Sequence, residues 1–272
     1  MNQTTIGFIG SGNMGGALIR AACKGVDPKK VIITDFSKEK AGELAKEVGC
    51  LVAENNNAVV ESAKFIMLGV KPQMQADMLK GISETLKKCL AAGEEKVLVT
   101  FAAGITVETV LKNVGAELPV IRIMPNIPAS VGMGMILVAG EHAGDALTEE
   151  FLGIMKEAGR FDRLAEKAID AATVPAGCAP AYAYMFIEAL ADGAVLTGVP
   201  RAKAMEYAAQ AVMGSAAMIL EGKQHPGALK DAVCSPGGST IVGVAALEEG
   251  GFRSACIKAI AAAYEKTVAL GK

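Results

Sequence analysis

Residues 4–24 read TTIGFIGSGNMGGALIRAACK, and their order decides the fold of the first half of the chain. Thr4 to Ile9 alternates with β-branched residues, the pattern of a strand, and Leu18 to Lys24 is a helical run. Between them lies Gly10-Ser11-Gly12-Asn13-Met14-Gly15-Gly16-Ala17. A G-x-G-x-x-G spacing alone is a weak signal, but a strand before it and a helix after it are the context of a dinucleotide loop. In that reading Gly10 permits the tight turn, Gly12 lets backbone approach a pyrophosphate, and Gly15 lets helix and strand pack closely. The helix N-terminus then faces the negative charge.

A second strand, Val31 to Thr34, ends at Asp35, about 20 residues past the loop, where a ribose-reading acid sits in this fold. A carboxylate there accepts from a free 2′-hydroxyl and repels a 2′-phosphate, whereas Ser37 and Lys38 are suited to hold that phosphate. Both NADH and NADPH therefore stay open. Helix Ala41–Val48, strand Phe65–Val70, helix Gln75–Leu90, strand Lys96–Thr100, helix Val107–Val114 and strand Val120–Ile123 continue the alternation of a parallel doubly wound sheet. Loops leaving the C-terminal ends of such strands line the ligand crevice, which singles out residues 69–73, 101–104 and 124–128. The expected dinucleotide-binding domain covers residues 1–164.

After an expected last strand at Gly159–Arg163 the alternation stops, and an all-helical, alanine-rich domain is expected over residues 165–272. Pro175, Pro180 and Pro200 should kink or divide its first long helix. Tyr207 to Leu220 carries no charge on any face, so a helix there must be covered all round, and a domain of this size rarely does that alone. The expectation is a homodimer formed through these helices. Within the same domain, HPGALKDAVCSPGGSTIVGVAALEEGG spans residues 225–251. Pro236 halts one helix, Gly237 and Gly238 allow left-handed turns that face amides outward, and Ser239 and Thr240 open the next helix. Free N–H groups, a helix dipole and two hydroxyls at one point favour a carboxylate or phosphate, although a plain helix-loop-helix connection with a good N-cap would read the same way.

Composition excludes several classes. Hydrophobic content is 51% against 21% charged residues, which is not a disordered chain. A net charge of −2 without any Lys/Arg block gives no footprint for nucleic acid. The six cysteines form no C-x-x-C pair and point to reduced thiols in a cytoplasmic protein, as does an N-terminus without a leader pattern. The uncharged stretch 123–140 is broken by Pro125, Asn126, Pro128 and glycines, so no membrane span is expected. His142 and His225 lie in no metal-ligand spacing, and no G-x-S-x-G elbow is present, so no metal and no serine hydrolase are expected.

The run HPGALKDAVCSPGGSTIVGVAALEEGGFR resembles the C-terminal signature of the Δ1-pyrroline-5-carboxylate reductases, and FIGSGNMGGALI, GVKPQ, FAAGI, RIMPNIPASVGMG, APAYAYMFIEALADGAV and GVPRAKAMEYAAQ match the same family in order. The resemblance spans essentially the whole chain. It implies a Rossmann-type domain followed by a helical dimerisation domain, a homodimer or a larger ring of dimers, and NAD(P)H-dependent reduction of a cyclic imine to L-proline, the last step of proline biosynthesis. It also implies that Val70, Lys71 and Pro72 lie beside the ribose and nicotinamide, Asn56 on the adenosine side, and Ala102, Ala103 and Gly104 under the nicotinamide. Asn13, Met14 and Asn126 complete the expected cofactor contacts. The family uses threonine where this chain has Ile127, and serine-glycine-serine-glycine where it has Ala176-Gly177-Cys178-Ala179; no site residue is carried over from either.

On this resemblance the substrate carboxylate rests on Ser235, Gly237, Gly238, Ser239 and Thr240, and Thr240 hydrogen-bonds the ring nitrogen as it becomes an amine. The active site is then expected where the two domains meet. Two other functions fit the same two-domain plan: a reductase of 3-hydroxy acids or other imines, and a dinucleotide-sensing protein without catalysis.

Overall fold

The computed structural model describes residues 4–270; Met1 to Gln3, Gly271 and Lys272, and with them part of the stretch read for a leader, lie outside the described residues. Two compact units are present, one formed by the chain up to Cys178 and again from Tyr264, the other by Ala179–Ala263.

The first unit alternates β1 (Thr4–Ile9), α1 (Asn13–Gly25), β2 (Val31–Thr34), α2 (Lys38–Val48), β3 (Leu51–Val52), α3 (Asn56–Ser62), β4 (Ala63–Leu68), α4 (Pro72–Ala91), β5 (Val97–Thr100), α5 (Val107–Val114), β6 (Val120–Met124), β7 (Gly134–Ala139), α6 (Asp145–Met155) and β8 (Gly159–Arg163). One sheet runs in the order β3-β2-β1-β4-β5-β6-β7-β8. Period-two alternation sorts the strand residues between its faces. Ile6, Phe8, Ile33, Phe65, Val99 and Ile121 pack with Leu18 of α1, Leu44 of α2 and Phe151 of α6. Ile9, Ile32, Ile66, Leu98 and Val120 pack with Val59 of α3, Leu79 and Leu86 of α4 and Val110 of α5. Burial on both faces explains why these strands read as continuous apolar runs.

The expected all-parallel sheet needs one correction: β6 and β7 are antiparallel, with Ile123 opposite Val138. The chain between them holds only a short 3-10 turn, Ile127–Val131, and a parallel return needs a longer crossover. Strand β7 lies inside the uncharged stretch 123–140. No helix among the described residues is long and apolar enough to cross a membrane.

Past β8, Pro175 and Pro200 stand at helix divisions as expected, whereas Pro180 lies in the first turn of the helix Ala179–Leu196. α7 (Ile169–Thr173) passes into a π-helical turn, Val174–Cys178, which contains Pro175, before α8 (Ala179–Leu196) begins. A proline without an N–H interrupts the i to i−4 ladder, and a widened turn is one way to absorb the loss. Pro200 caps α9 (Arg201–Gly222), and α10 (Pro226–Val233), α11 (Ser239–Glu249) and α12 (Phe252–Leu270) follow. The second unit buries little by itself. Its core is Ala191 of α8 with Ala204 and Ala208 of α9, flanked by Ile187 and Val195, and Phe186 meets Phe252 with ring centroids 5.5 Å apart.

Candidate active site

Every residue expected to meet the dinucleotide lies just past the carboxyl end of one of the strands β1 to β6, which run parallel. Backbone bonds knit the first of these loops to its neighbours: Gly10 N–H donates to Thr34 O at 2.8 Å and Gly69 N–H to Ile9 O at 2.8 Å. The three motif glycines then divide by role. Gly10 has φ +107°, and a Cβ there would meet the Gly69 carbonyl oxygen at 2.5 Å. A Cβ on Gly15 would lie 2.5 Å from Gly10 O. Gly12, the N-cap of α1, faces open space, with nothing within 4 Å of a built Cβ. Gly10 and Gly15 therefore serve close packing, while the surface left bare at Gly12 is where a ligand can reach the backbone. No side chain caps α1 and no acid stands in its first turn, so its leading N–H groups and dipole are available to an anion. Asn13 and Met14 form that first turn, Asn13 exposed and Met14 half-buried.

Asp35 closes the next loop. Its Oδ2 accepts from Ser11 N–H at 2.6 Å and from the Ser11 hydroxyl at 2.9 Å, and its Oδ1 accepts from Ser37 N–H at 2.9 Å. Partial burial pushes this carboxyl up, but the bonds from Ser11 and Ser37, with nearby Lys40, outweigh it and hold the group below its ordinary value. The Ser37 hydroxyl caps α2 by accepting from Lys40 N–H at 3.4 Å, and Lys38 Nζ donates to the Glu54 carbonyl.

Asn56 opens α3, whose cap is the side chain of Asn55, accepting from Ala58 N–H at 2.9 Å. Val70 is half-buried, Lys71 is the exposed N-cap of α4, and Pro72 takes its first position. Ala102 is buried, Ala103 is exposed, and Gly104 turns with φ +74°. Asn126 is buried, and its side chain is spent inside the protein, accepting from Met135 N–H at 3.0 Å and donating to Ala176 O at 2.8 Å.

The residues expected to hold the substrate lie in the second unit and share one turn. Cys234 ends α10, Gly237 has φ +69°, Gly238 N–H donates to Ser235 O at 3.0 Å, and Gly238 caps α11 without a side-chain bond. A Cβ at Gly238 would meet Ser235 Oγ at 2.4 Å, so the hydroxyl sits over the turn. Ser239 and Thr240 are exposed in the first turn of α11, which carries no acid. Backbone amides and the hydroxyls of Ser239 and Thr240 thus share one uncapped helix mouth, where an anion could be held.

Sequence reasoning passed over three groups. Ser11 has no role in the sequence reading beyond its place in the glycine loop, yet its amide and hydroxyl tie that loop to Asp35. Gly69, named only within its loop, touches Gly10, and a Cβ there would meet Gly10 O at 2.7 Å. Arg122, buried in β6, donates to Glu166 at 3.2 Å and Asp170 at 2.9 Å. An arginine inside an apolar strand was the available signal for the last. Among the described residues no cluster of His, Cys, Asp or Glu is arranged to hold a metal, and all six cysteines, Cys178 and Cys234 included, are free thiols.

Comparison with known proteins identifies the family. Residues 166–270 match the family model described as pyrroline-5-carboxylate reductase dimerisation, and residues 5–104 match that of a coenzyme F420-dependent NADP oxidoreductase. The chain is 42% identical to the pyrroline-5-carboxylate reductase of Escherichia coli K12, with 99% of each chain covered, and 38% identical to that of Pisum sativum over 97% of this chain and 94% of the relative. The fold superposes on the pyrroline carboxylate reductase of Plasmodium falciparum, solved with NADP bound, with a TM-score of 0.86 and 29% identity over the whole of both chains. With similarity at this level running from end to end, the chain belongs to the pyrroline-5-carboxylate reductase family.

Proposed function

We propose that this chain is an NAD(P)H-dependent oxidoreductase acting on a C=N bond, reducing Δ1-pyrroline-5-carboxylate to L-proline in the last step of proline biosynthesis. The observation that carries the reading is the full-length 42% identity to a reductase of that name, joined to a glycine loop whose ligand-facing position is bare. Residues 1–164 take the dinucleotide, through Gly10, Gly12, Asn13, Met14, Gly15, Asp35, Ser37, Lys38, Asn56, Val70, Lys71, Pro72, Ala102, Ala103, Gly104 and Asn126. Residues 165–272 take the imino acid and pair the subunits.

Bound there, the reduced nicotinamide supplies the hydride. The protein supplies position and charge. Amides and hydroxyls from Ser235, Gly237, Gly238 and Ser239 hold the substrate carboxylate, which orients the ring. Thr240 hydrogen-bonds the ring nitrogen as it turns from imine to amine. The imine enters protonated, so its carbon is already electrophilic and alignment is the main requirement; alignment of this kind contributes on the order of several kcal/mol.

The second unit leaves large apolar side chains uncovered within one chain, among them Met185, Tyr207, Met213, Met218 and Ile257. Covering them is the work of a second copy, and the match to a dimerisation family supports a homodimer, or a ring of dimers, built on these helices. We place the enzyme in the cytoplasm, consistent with its free thiols.

The test is proline formation from pyrroline carboxylate with NADH or NADPH, run beside small ketones, 3-oxo acids and other imines as acceptors, and beside 3-hydroxy acids with NAD+ or NADP+. Faster turnover of any panel member than of the five-membered imino acid would reassign the substrate. Dinucleotide binding without turnover of any acceptor would make the chain a sensor.

A further inference from the structure

The adenosine end of the crevice carries a charge arrangement that selects between the two nicotinamide dinucleotides. An ionised carboxylate has about four acceptor positions. Three donors already occupy Asp35, two on Oδ2 from Ser11 and one on Oδ1 from Ser37 N–H, which leaves a single position on Oδ1. One vacant acceptor matches one hydroxyl. A 2′-phosphate brings no donor when fully ionised and places its charge against a fixed anion.

Of the cations near this carboxylate, Lys38 and Arg20 are committed. Lys38 Nζ is held by the Glu54 carbonyl, and the Ser37 hydroxyl serves the cap of α2. A cavity of about 350 Å³ opens beside the glycine loop, walled by Ser11, Gly12, Lys40, Glu43, Arg20 and Glu47. Its arginine forms a two-pronged pair, Arg20 Nε and Nη2 each 2.7 Å from a Glu47 oxygen. Lys40 and Glu43 line it as well, so the charged walls, two cations and two anions, sum to zero and the cavity has no excess positive charge for a phosphate.

We propose that Asp35, fixed by Ser11 and Ser37, makes this chain select NADH over NADPH, although its relative from Plasmodium falciparum was solved with NADP bound. The inference rests on the crevice being a dinucleotide site. The carboxylate acts as a gate on the 2′ position, and its rigidity matters as much as its charge, because a side chain pinned by three donors cannot swing aside.

Equilibrium binding without substrate tests this, using the fluorescence of NADH and NADPH and calorimetry with NAD+ and NADP+. At low salt the dissociation constant of NADH should lie at least about tenfold below that of NADPH, and the gap should narrow as salt screens the carboxylate. Asp35→Asn keeps a carbonyl acceptor for Ser11 and removes the charge; it should bring the two constants within about threefold, chiefly by tightening NADPH. Should that variant lose thermal stability, the salt series on the unaltered enzyme still decides the matter. NADPH bound as tightly as NADH, or an NADH preference untouched by both salt and Asp35→Asn, overturns the proposal while leaving the reductase reading intact. Failure to bind either dinucleotide would sink the reductase reading instead.

Discussion

Arg122 and Glu166 are joined across 3.2 Å, although one lies in the middle of the sheet and the other in the turn before α7. The guanidinium is almost wholly buried, its second nitrogen reaches Asp170, and Glu166 also accepts from Val107 N–H at 2.8 Å, at the start of α5. One carboxylate thus neutralises a buried charge and caps a helix. Removing it should be costly, because the arginine stays behind in a low-dielectric site. Glu166→Ala is expected to lower unfolding free energy by about 2–4 kcal/mol, whereas Arg122→Met should cost at most about 1–2 kcal/mol, since both carboxylates can turn to water. Urea titrations of the two variants give the order; the reverse order would mean that the arginine carries the stabilisation.

The glycines of the first loop should separate folding from binding. Gly10→Ala forces a side chain into φ +107° and against the Gly69 carbonyl, a combination expected to cost about 2–4 kcal/mol. Gly12 has φ −59° and ψ −173°, which alanine adopts, and its Cβ would meet nothing. Gly12→Ala should therefore leave stability within about 0.5 kcal/mol while raising the dinucleotide dissociation constant at least about tenfold. Thermal midpoints and fluorescence titrations read the two effects apart. A Gly12→Ala enzyme that binds normally would remove this surface from the cofactor site.

Much of this was readable in the chain because it is steric. A glycine whose Cβ would strike a carbonyl leaves a spacing pattern, and a strand buried on both faces leaves an apolar run. Hydrogen bonds between distant side chains leave no such trace. Nothing in the spacing of Ser11 and Asp35 says which way either side chain turns, and the same holds for Asn126, whose amide bonds Met135 and Ala176. Strand β7 was hidden for another reason. Its residues carry a good strand pattern, but the prolines and glycines before it read as breakers, and the antiparallel return depends on the length of that turn. Lys96 looked like the first residue of β5; it is a buried lysine donating to Ala63 O at 3.0 Å and paired with Glu94, one position before the strand.

Pairing through α9 predicts a charge effect. Met213 and Met218 are 47% and 59% exposed within one chain, so replacing both with glutamate should leave that chain's own core alone. Brought against a second copy, the new carboxylates would be desolvated and would repel each other. The dimer dissociation constant should rise at least about a hundredfold in Met213→Glu/Met218→Glu, seen by sedimentation velocity as a shift toward monomer. An unchanged dimer would place the subunit contact on another face.

Thr240 tests the chemistry most directly. It is exposed in the first turn of α11, and its hydroxyl has no hydrogen-bond partner among the described residues, so the fold does not depend on it. Thr240→Ala is expected to lower kcat/KM for pyrroline carboxylate at least about tenfold, equivalent to about 1.4 kcal/mol of transition-state stabilisation. The loss should appear mainly in kcat if the bond to nitrogen strengthens as imine becomes amine, and Thr240→Ser should recover most of it. Dinucleotide affinity should not move, because the residues expected to bind it belong to the first unit. Turnover unaltered in Thr240→Ala would remove this hydroxyl from the mechanism, and the search for the group facing the ring nitrogen would pass to Ser239.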